Sequence, residues 1–270
     1  MSIEKFQEEI STGQRFKFGA NWKKFLGTLN DERIKQAETS LRAMLEVESL
    51  EGKSFLDVGS GSGLFSLAAR NLGAKVVSFD FDDTSVWCTE KLKSTYYEKD
   101  TSWKVMQGSV LDDDFLKQLG KFDYVYSWGV LHHTGDMWKA LNNVTELLKP
   151  NGSLYIALYN HQQFASRYWT FVKRTYNKYP LIRPLWILIH FLYPTLPSIV
   201  LKFLQSRKPP RGMTVWYDLL DWLGGFPFEV STPKEIFNFY KSKGFTLTEL
   251  NTVGGKLGCN EFVFRRAVCK

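Results

Sequence analysis

Between residues 53 and 160 the chain repeats one pattern: a short apolar run, a turn of glycine or acidic residues, then a stretch with helical period. The runs Phe55–Val58, Lys75–Asp80, Trp103–Gln107, Phe122–Ser127 and Ser153–Tyr159 predict five strands. A helical pattern from Met137 to Leu148 meets Lys149-Pro150-Asn151-Gly152, which predicts a turn. Strands alternating with helices predict an α/β fold with a doubly wound, mostly parallel sheet. Upstream, Ile34, Ala37, Leu41, Met44 and Leu45 recur at helical spacing over 31–45. Before them Phe16, Phe18, Trp22, Phe25 and Leu26 form an aromatic cluster beside Lys17, Lys23 and Lys24. Downstream, Thr232-Pro233-Lys234-Glu235 reads as a capping box opening a helix that ends at Gly244. Phe245–Leu250 and Glu261–Arg266 then alternate as a closing hairpin. One domain over 1–270 follows. Its parts are N-terminal helices (1–52), a ligand-binding core (53–160), an insertion (161–225) and a C-terminal helix and hairpin (226–270).

The first strand leads into Gly59-Ser60-Gly61-Ser62-Gly63, just before a helix. Glycines let the backbone turn sharply and approach a ligand, and the helix start offers free N–H groups. The spacing lacks the Lys-Ser/Thr of a triphosphate loop and differs from the dinucleotide G-x-G-x-x-G. The acidic residue, Asp57, precedes the glycines, which favours a ligand carrying a cationic amino group. A second acid, Asp80, ends the next strand about 20 residues on, where a βαβ unit places a carboxylate on a ribose.

Taken together, LDVGSGSG, the SFD acid, QGSV, FDYVYS and LLKPNGSLYIALYN resemble the class I S-adenosylmethionine (SAM) dependent methyltransferases. Within them the chain looks most like the ubiquinone-biosynthesis type of O-methyltransferase and its relatives. The resemblance covers roughly Lys53 to Tyr159 and implies a Rossmann-like fold with a final antiparallel hairpin. It implies SAM as cofactor and S-adenosylhomocysteine as product. It places Asp57, Gly59, Ser60 and Gly61 along the methionine part and Gly63 at the helix entry. It places Asp80 on the ribose, and Phe81, Ser109 and Val110 at the adenine, with Ser127 and Trp128 closing the site. Relatives often carry an acid where this chain has Ser109, so Ser109 and Asp112 are both candidates for the adenine amino group. Helices before the first strand often cover the cofactor in relatives; packing on the sheet is the alternative.

Composition sharpens the other half. The charge of +7 is unevenly spread: no acidic residue stands between Glu146 and Asp218, a stretch holding Arg167, Lys173, Arg174, Lys178, Arg183 and further basic residues. That asymmetry suggests an anionic partner. The same insertion is rich in aromatics, and Leu181–Leu204 is apolar but broken by Arg183, Pro184, His190, Pro194 and Pro197. A spanning helix needs ~20 apolar residues. The segment is therefore expected to be a lid or a peripheral contact with an anionic membrane surface. The three cysteines form no C-x-x-C pair and Met1–Lys5 opens no apolar signal core, so a cytoplasmic protein is expected. The four histidines are not grouped with carboxylates, which argues against a metal.

Ligands of open α/β sheets bind beyond the carboxyl ends of the strands. His133 is the leading candidate for a general base, with His132 beside it; capping a helix is the alternative role. Tyr159 and Asn160 end the fifth strand and could bind substrate or close the strand end. Residues 211–218 and 221–229 form a second cluster, dense in tryptophan, glycine and mixed charge, with Arg211, Trp216, Asp218 and Asp221 as its candidates; a folded loop with internal salt bridges is the alternative. Arg211 would clamp an acidic group, and Asp218 or Asp221 would accept a substrate hydroxyl proton. The leading reading is methyl transfer to a small or lipid-like acceptor, at oxygen. The alternatives are a sugar or glycan precursor, RNA, and SAM binding without catalysis. Lack of the [ND]-P-P-[YFW] signature and of an appended RNA-binding segment argues against nucleic acid.

Overall fold

The computed structural model describes residues 3–195 and 215–266. The strands are β1 (Ser54–Val58), β2 (Lys75–Asp80), β3 (Trp103–Gln107), β4 (Phe122–Trp128), β5 (Leu148–Tyr159), β6 (Phe245–Asn251) and β7 (Cys259–Arg266). Among the described residues they form one sheet in the order β3-β2-β1-β4-β5-β7-β6. The first five pair in parallel, and β7 runs antiparallel to β5 and β6. The order reverses direction between β1 and β4, the point at which such sheets open a crevice for ligands.

Three helices precede the sheet: α1 (Ile3–Ser11), α2 (Gly19–Leu26) and α3 (Asp31–Leu45). Between strands run α4 (Leu64–Asn71), α5 (Asp83–Tyr96), α6 (Asp113–Leu119) and α7 (Met137–Glu146). After β5 come α8 (Gln163–Lys178), a 3-10 turn at Pro180–Ile182, α9 (Arg183–His190) and a π-type turn at Phe191–Thr195, and then α10 (Val215–Gly224) and α11 (Pro233–Ser242).

Strand side chains alternate between faces. Phe55 packs with Leu67, Val76, Trp103 and the Ile34, Ala37, Leu41 and Leu45 stripe of α3. Leu56 and Val58 pack with Leu141, Val144, Ile156 and Tyr240 on the opposite face. Each such buried side chain contributes about 1.5–3 kcal/mol. Asp57 shares the face of Phe55, which sends its carboxylate beneath α4.

The Thr232–Glu235 capping box forms: the threonine hydroxyl accepts from the Glu235 N–H at 3.2 Å, and the Glu235 carboxylate accepts from the Thr232 N–H at 2.8 Å. One boundary differs from the sequence pattern. The helix stops at Glu146, and residues 149–152 are already strand. Leu148 pairs with Phe122, and the register shift before Tyr124 absorbs the extra residues where Asn151 holds φ +64°.

The insertion builds a third core from Trp169, Val172, Tyr176, Leu219, Leu223 and Phe228. Among the described residues no helix is long and apolar enough to cross a membrane.

Candidate active site at the ends of β1, β2, β4 and β5

After β1 the chain passes through Gly59, Gly61 and Gly63 with φ of 80°, 55° and 80°. A side chain is strained in that region, so the turn requires glycine. The N–H groups of Gly59 and Ser60 donate to the Phe79 carbonyl at 2.8 and 3.1 Å, which stitches the turn to the end of β2. The Ser60 hydroxyl lies 2.9 Å from that of Thr89. Asp80 accepts from the Gly61 N–H at 2.9 Å on one oxygen and from the Asp82 N–H at 3.0 Å on the other. Each oxygen keeps a second lone pair for a ligand hydroxyl. Burial pushes the Asp80 carboxyl up to about 6 against the pull of these N–H donors.

Asp57 lies under the turn. It accepts from Ser66 Oγ at 2.5 Å; Ser66 Oγ lies 2.6 Å from Ser78 Oγ, which accepts from the Trp103 indole at 2.9 Å. Burial raises this carboxyl to about 7, opposed by the Ser66 bond and aided by the charge of Asp80. This hydrogen bond ties the end of β1 to the first turns of α4, on either side of the glycine turn.

Helix α2 lies over the turn. A Cβ on Gly61 would come within 2.9 Å of the Trp22 indole, and the Gly19 N–H donates to Asp82 at 3.2 Å. The two roles weighed for the N-terminal helices are therefore divided: α2 covers the turn, and α3 packs against α4 on the sheet.

At the ends of β2 and β3, Phe81 is half-buried and its carbonyl accepts from Gln107 at 3.2 Å. Ser109 Oγ accepts from the Leu111 N–H at 3.1 Å, and Val110 is buried with its carbonyl on Asn143 at 2.9 Å. Asp112 caps α6, accepting from Asp114 and Phe115 at 3.1 Å each. Ser127 is fully buried and donates to the Val58 carbonyl at 2.9 Å. The Trp128 indole donates to Glu261 at 3.1 Å, and Tyr155 donates to the other oxygen of Glu261 at 3.0 Å.

Beyond β4, a 3-10 turn (Leu131–His133) sets two imidazoles with centroids 4.4 Å apart. It adjoins the glycine turn directly, since a Cβ on Gly59 would run into the Val130 side chain. His133 Nδ1 lies 2.6 Å from the Pro227 carbonyl. A carbonyl only accepts, so Nδ1 carries the proton and Nε2 presents a lone pair. His132 is reversed: its Nδ1 accepts from the Tyr159 N–H at 3.3 Å, which leaves the proton on a buried Nε2 that has no hydrogen-bond partner. Burial lowers both imidazoles, His133 to about 3, so both are uncharged at neutral pH.

The segment 226–231 holds this turn. The Phe226 carbonyl accepts from Phe16 at 2.9 Å, Glu229 donates its N–H to the His132 carbonyl at 3.0 Å, and Ser231 donates to Tyr159 at 3.0 Å. The Glu229 carboxylate accepts from Gly135 and Met137 at 3.1 Å, and burial raises it. Arg15 donates to the His133 and Thr134 carbonyls at 2.7 and 3.0 Å. On the outer side of this loop opens a cleft of about 850 Å³ whose walls include Arg15, Gly135, Lys139, Arg174, Lys178 and Pro227.

Tyr159 stands at the centre, 3.9 Å from the His132 ring, 5.4 Å from His133 and 5.3 Å from Trp222 between centroids. Asn160 instead closes the strand end, donating to Gly254 and Lys256 and accepting from Asn260 at 3.1 Å. Trp216, Asp218 and Asp221 belong to α10, but their side chains lie outside the described set, as does Arg211 altogether. Among the described residues no group of three or more His, Cys, Asp or Glu could hold a metal ion. Sequence reasoning did not single out Arg15, Lys173, Pro227 or Glu229 for roles at the site. Arg15 and Lys173 reach it only through contacts distant in the chain; Pro227 and Glu229 stand in the 221–229 stretch, whose density of tryptophan, glycine and charge marks the segment without assigning them a role.

A family model described as "Methyltransferase domain" matches residues 29–186, more than half of the chain, and the chain belongs to that family. A ubiquinone biosynthesis O-methyltransferase of Xanthomonas campestris pv. campestris (strain B100) is 32% identical over 112 residues, 42% of this chain and 45% of that protein. The chain thus spans about half the length of the curated relatives it matches. Among solved structures, magnesium protoporphyrin IX methyltransferase from Synechocystis PCC 6803 with bound SAH aligns at TM-score 0.57 and 15% identity. The alignment covers 96% of this chain and 100% of that one. The [4+2]-cyclase SpnF aligns at TM-score 0.54 and 10% identity, covering 87% and 81%. The two structures share the fold, which by itself does not fix the chemistry.

Proposed function

We propose that this member of the methyltransferase-domain family transfers a methyl group from SAM to an oxygen of a small or lipid-like acceptor. The carrying observation is the contact between the glycine turn and the His133 turn, which sets a cofactor cradle beside an oriented imidazole lone pair. The chain fits the cofactor. Gly59, Ser60, Gly61 and Gly63 give close backbone approach to the methionine part, with Asp57 supporting them. Asp80 has lone pairs for both ribose hydroxyls, and Phe81, Ser109 and Val110 border the adenine. Ser127 and Trp128 shape the strand end. When bound, SAM supplies a methyl on a cationic sulfur that an acceptor atom displaces in line.

The protein's share is alignment and proton removal. His133 Nε2 accepts the acceptor's hydroxyl proton while Nδ1 stays on Pro227. A base lowered to about 3 is weak, so it contributes at the low end of the usual ~10²–10⁴-fold range. His132, with its proton on Nε2, and Tyr159 wall the acceptor side; Trp216, Asp218, Asp221 and Arg211 are proposed as acceptor contacts on their residue chemistry alone. The cleft outside the loop sets Arg15, Lys139, Arg174 and Lys178 against Glu9 and Asp136, and this surplus of positive charge suits an anionic group on the acceptor. The exposed Phe164, Phe171, Leu181, Leu185, Leu188 and Tyr193, beside Arg167, Arg174 and Lys178, suit peripheral contact with an anionic lipid surface that delivers it.

The test is transfer from methyl-labelled SAM into an extract of the source cells, followed by partition of the product. Label in the organic phase is expected. Label on RNA or protein, or no label despite measured SAM binding, overturns the reading.

A further inference from the structure

Lys173, in the middle of α8, is fully buried. Its Nζ donates to the Trp222 carbonyl of α10. The same nitrogen stands 4.4 Å from the Trp222 ring centroid, 4.9 Å from Phe228, 5.8 Å from Tyr159 and 6.0 Å from Trp169. Burying an ammonium costs several kcal/mol of hydration, and an aromatic box returns part of it through the ring quadrupoles. A plain core position would carry leucine or methionine without that cost. The placement is therefore informative: one wall of the box is Tyr159, whose ring also meets both members of the His132–His133 pair.

We propose that Lys173 is a positioning residue for this pair: its ammonium, fixed against Tyr159, repels a positive charge on either imidazole and so extends toward acid the range over which Nε2 of His133 stays unprotonated. The box supplies the rigidity. Tyr159 touches Trp222 and Phe228 at 5.3 Å each, and Trp169 touches Trp222 at 5.2 Å. Tyr159 also fixes the tautomer of His132 through its N–H. One unit thus bears on the charge of both rings and sets the tautomer of His132, while the Pro227 carbonyl sets that of His133. Among the described residues the other charged groups near the pair are Arg15 and Glu9 from the N-terminal segment, Asp136 at the start of α7 and Glu229 of the strap. Arg15 acts in the same sense as Lys173, and Glu229 is engaged with the Gly135 and Met137 amides. The inference rests on the reading of His133 as proton acceptor, but it is tested without methyl transfer.

The experiment compares Lys173→Gln and Lys173→Arg in the full chain, following histidine ring resonances against pH. Glutamine can still donate to the Trp222 carbonyl but carries no charge; arginine keeps the charge. In the wild type, both rings are expected to stay neutral down to the acid limit of the fold. Lys173→Gln is expected to raise the onset of ring protonation by about one pH unit, the size of one charge removed at a distance of one ring. Lys173→Arg is expected to restore the wild-type onset. A glutamine variant that titrates like the wild type, or an arginine variant that shifts as far as glutamine, overturns the proposal. Should Lys173→Gln fail to fold, the wild-type titration decides: rings protonating near the ordinary value of 6.5 refute it. A shifted ring titration with methyl transfer unchanged across the shifted pH range would instead count against the role given to His133.

Discussion

The glycine turn and the histidine turn stand side by side at the strand ends, and they are held by opposite means. Gly61 is fixed by Asp80, 19 residues away, through main-chain N–H groups within one βαβ unit. His133 is fixed by Pro227, 94 residues away, and Arg15 reaches the same turn from 118 residues upstream. The first site is a backbone shape, so it tolerates few side chains at its glycines but needs little outside itself. The second is a set of side chains whose position and charge are decided by the insertion, the 226–231 strap and the N-terminal segment. Damage should therefore separate cleanly: cofactor binding from the first region, turnover and acid sensitivity from the second.

The largest expected effect is at Gly61. Gly61→Val combines a φ of +55° with a clash on Trp22 and should weaken SAM binding at least ~100-fold by calorimetry, with the fold retained. Normal affinity in this variant would mean the turn is not the cradle. Next, His133→Ala should lower kcat about 10²-fold while leaving SAM affinity within a factor of about two. A matching loss of cofactor affinity would erase the distinction between the regions.

The pH response sharpens the contrast further, because the two regions push in opposite directions. Asp57 and Asp80 are raised, so their contribution to stability is present below 3.8 and is lost as pH rises through about 6 and 7. His132 and His133 are lowered, so theirs is present above 6.5 and is lost as pH falls. Each proton taken up differently by the two states gives ~1.4 kcal/mol per pH unit. Between pH 4 and 6 the four slopes nearly cancel, and the urea midpoint of the ligand-free protein should be almost flat. Asp57→Asn removes one opposing slope, and stability should then rise with pH by ~1.4 kcal/mol per unit. A flat profile in that variant would show that Asp57 does not titrate as its burial implies. The smallest effect is expected on the exposed insertion surface. Leu181→Ser with Leu185→Ser should change stability by less than ~0.5 kcal/mol and reduce sedimentation with anionic vesicles several-fold.

The same contrast explains what could be read along the chain. The strand ends Asp57 and Asp80, the α3 stripe and the Thr232 cap were legible because each depends on neighbours within one or two elements. The early start of β5 was not, since it follows from pairing of Leu148 with Phe122 rather than from Pro150 and Gly152. Asn160 stands at a strand end in the sequence, but only the folded hairpin shows its amide taken up by Gly254, Lys256 and Asn260.

Sequence alone determined the α/β sheet, the glycine turn after its first strand and the family, because strand periodicity, glycine φ requirements and a carboxylate at a fixed interval are local properties of the chain. Only the tertiary structure decided which nitrogen of each histidine holds its proton, and that Lys173 lies in an aromatic box against Tyr159. Those outcomes depend on burial and on hydrogen bonds between residues far apart in the sequence, and burial exists only once the sheet, the insertion and the strap have packed together.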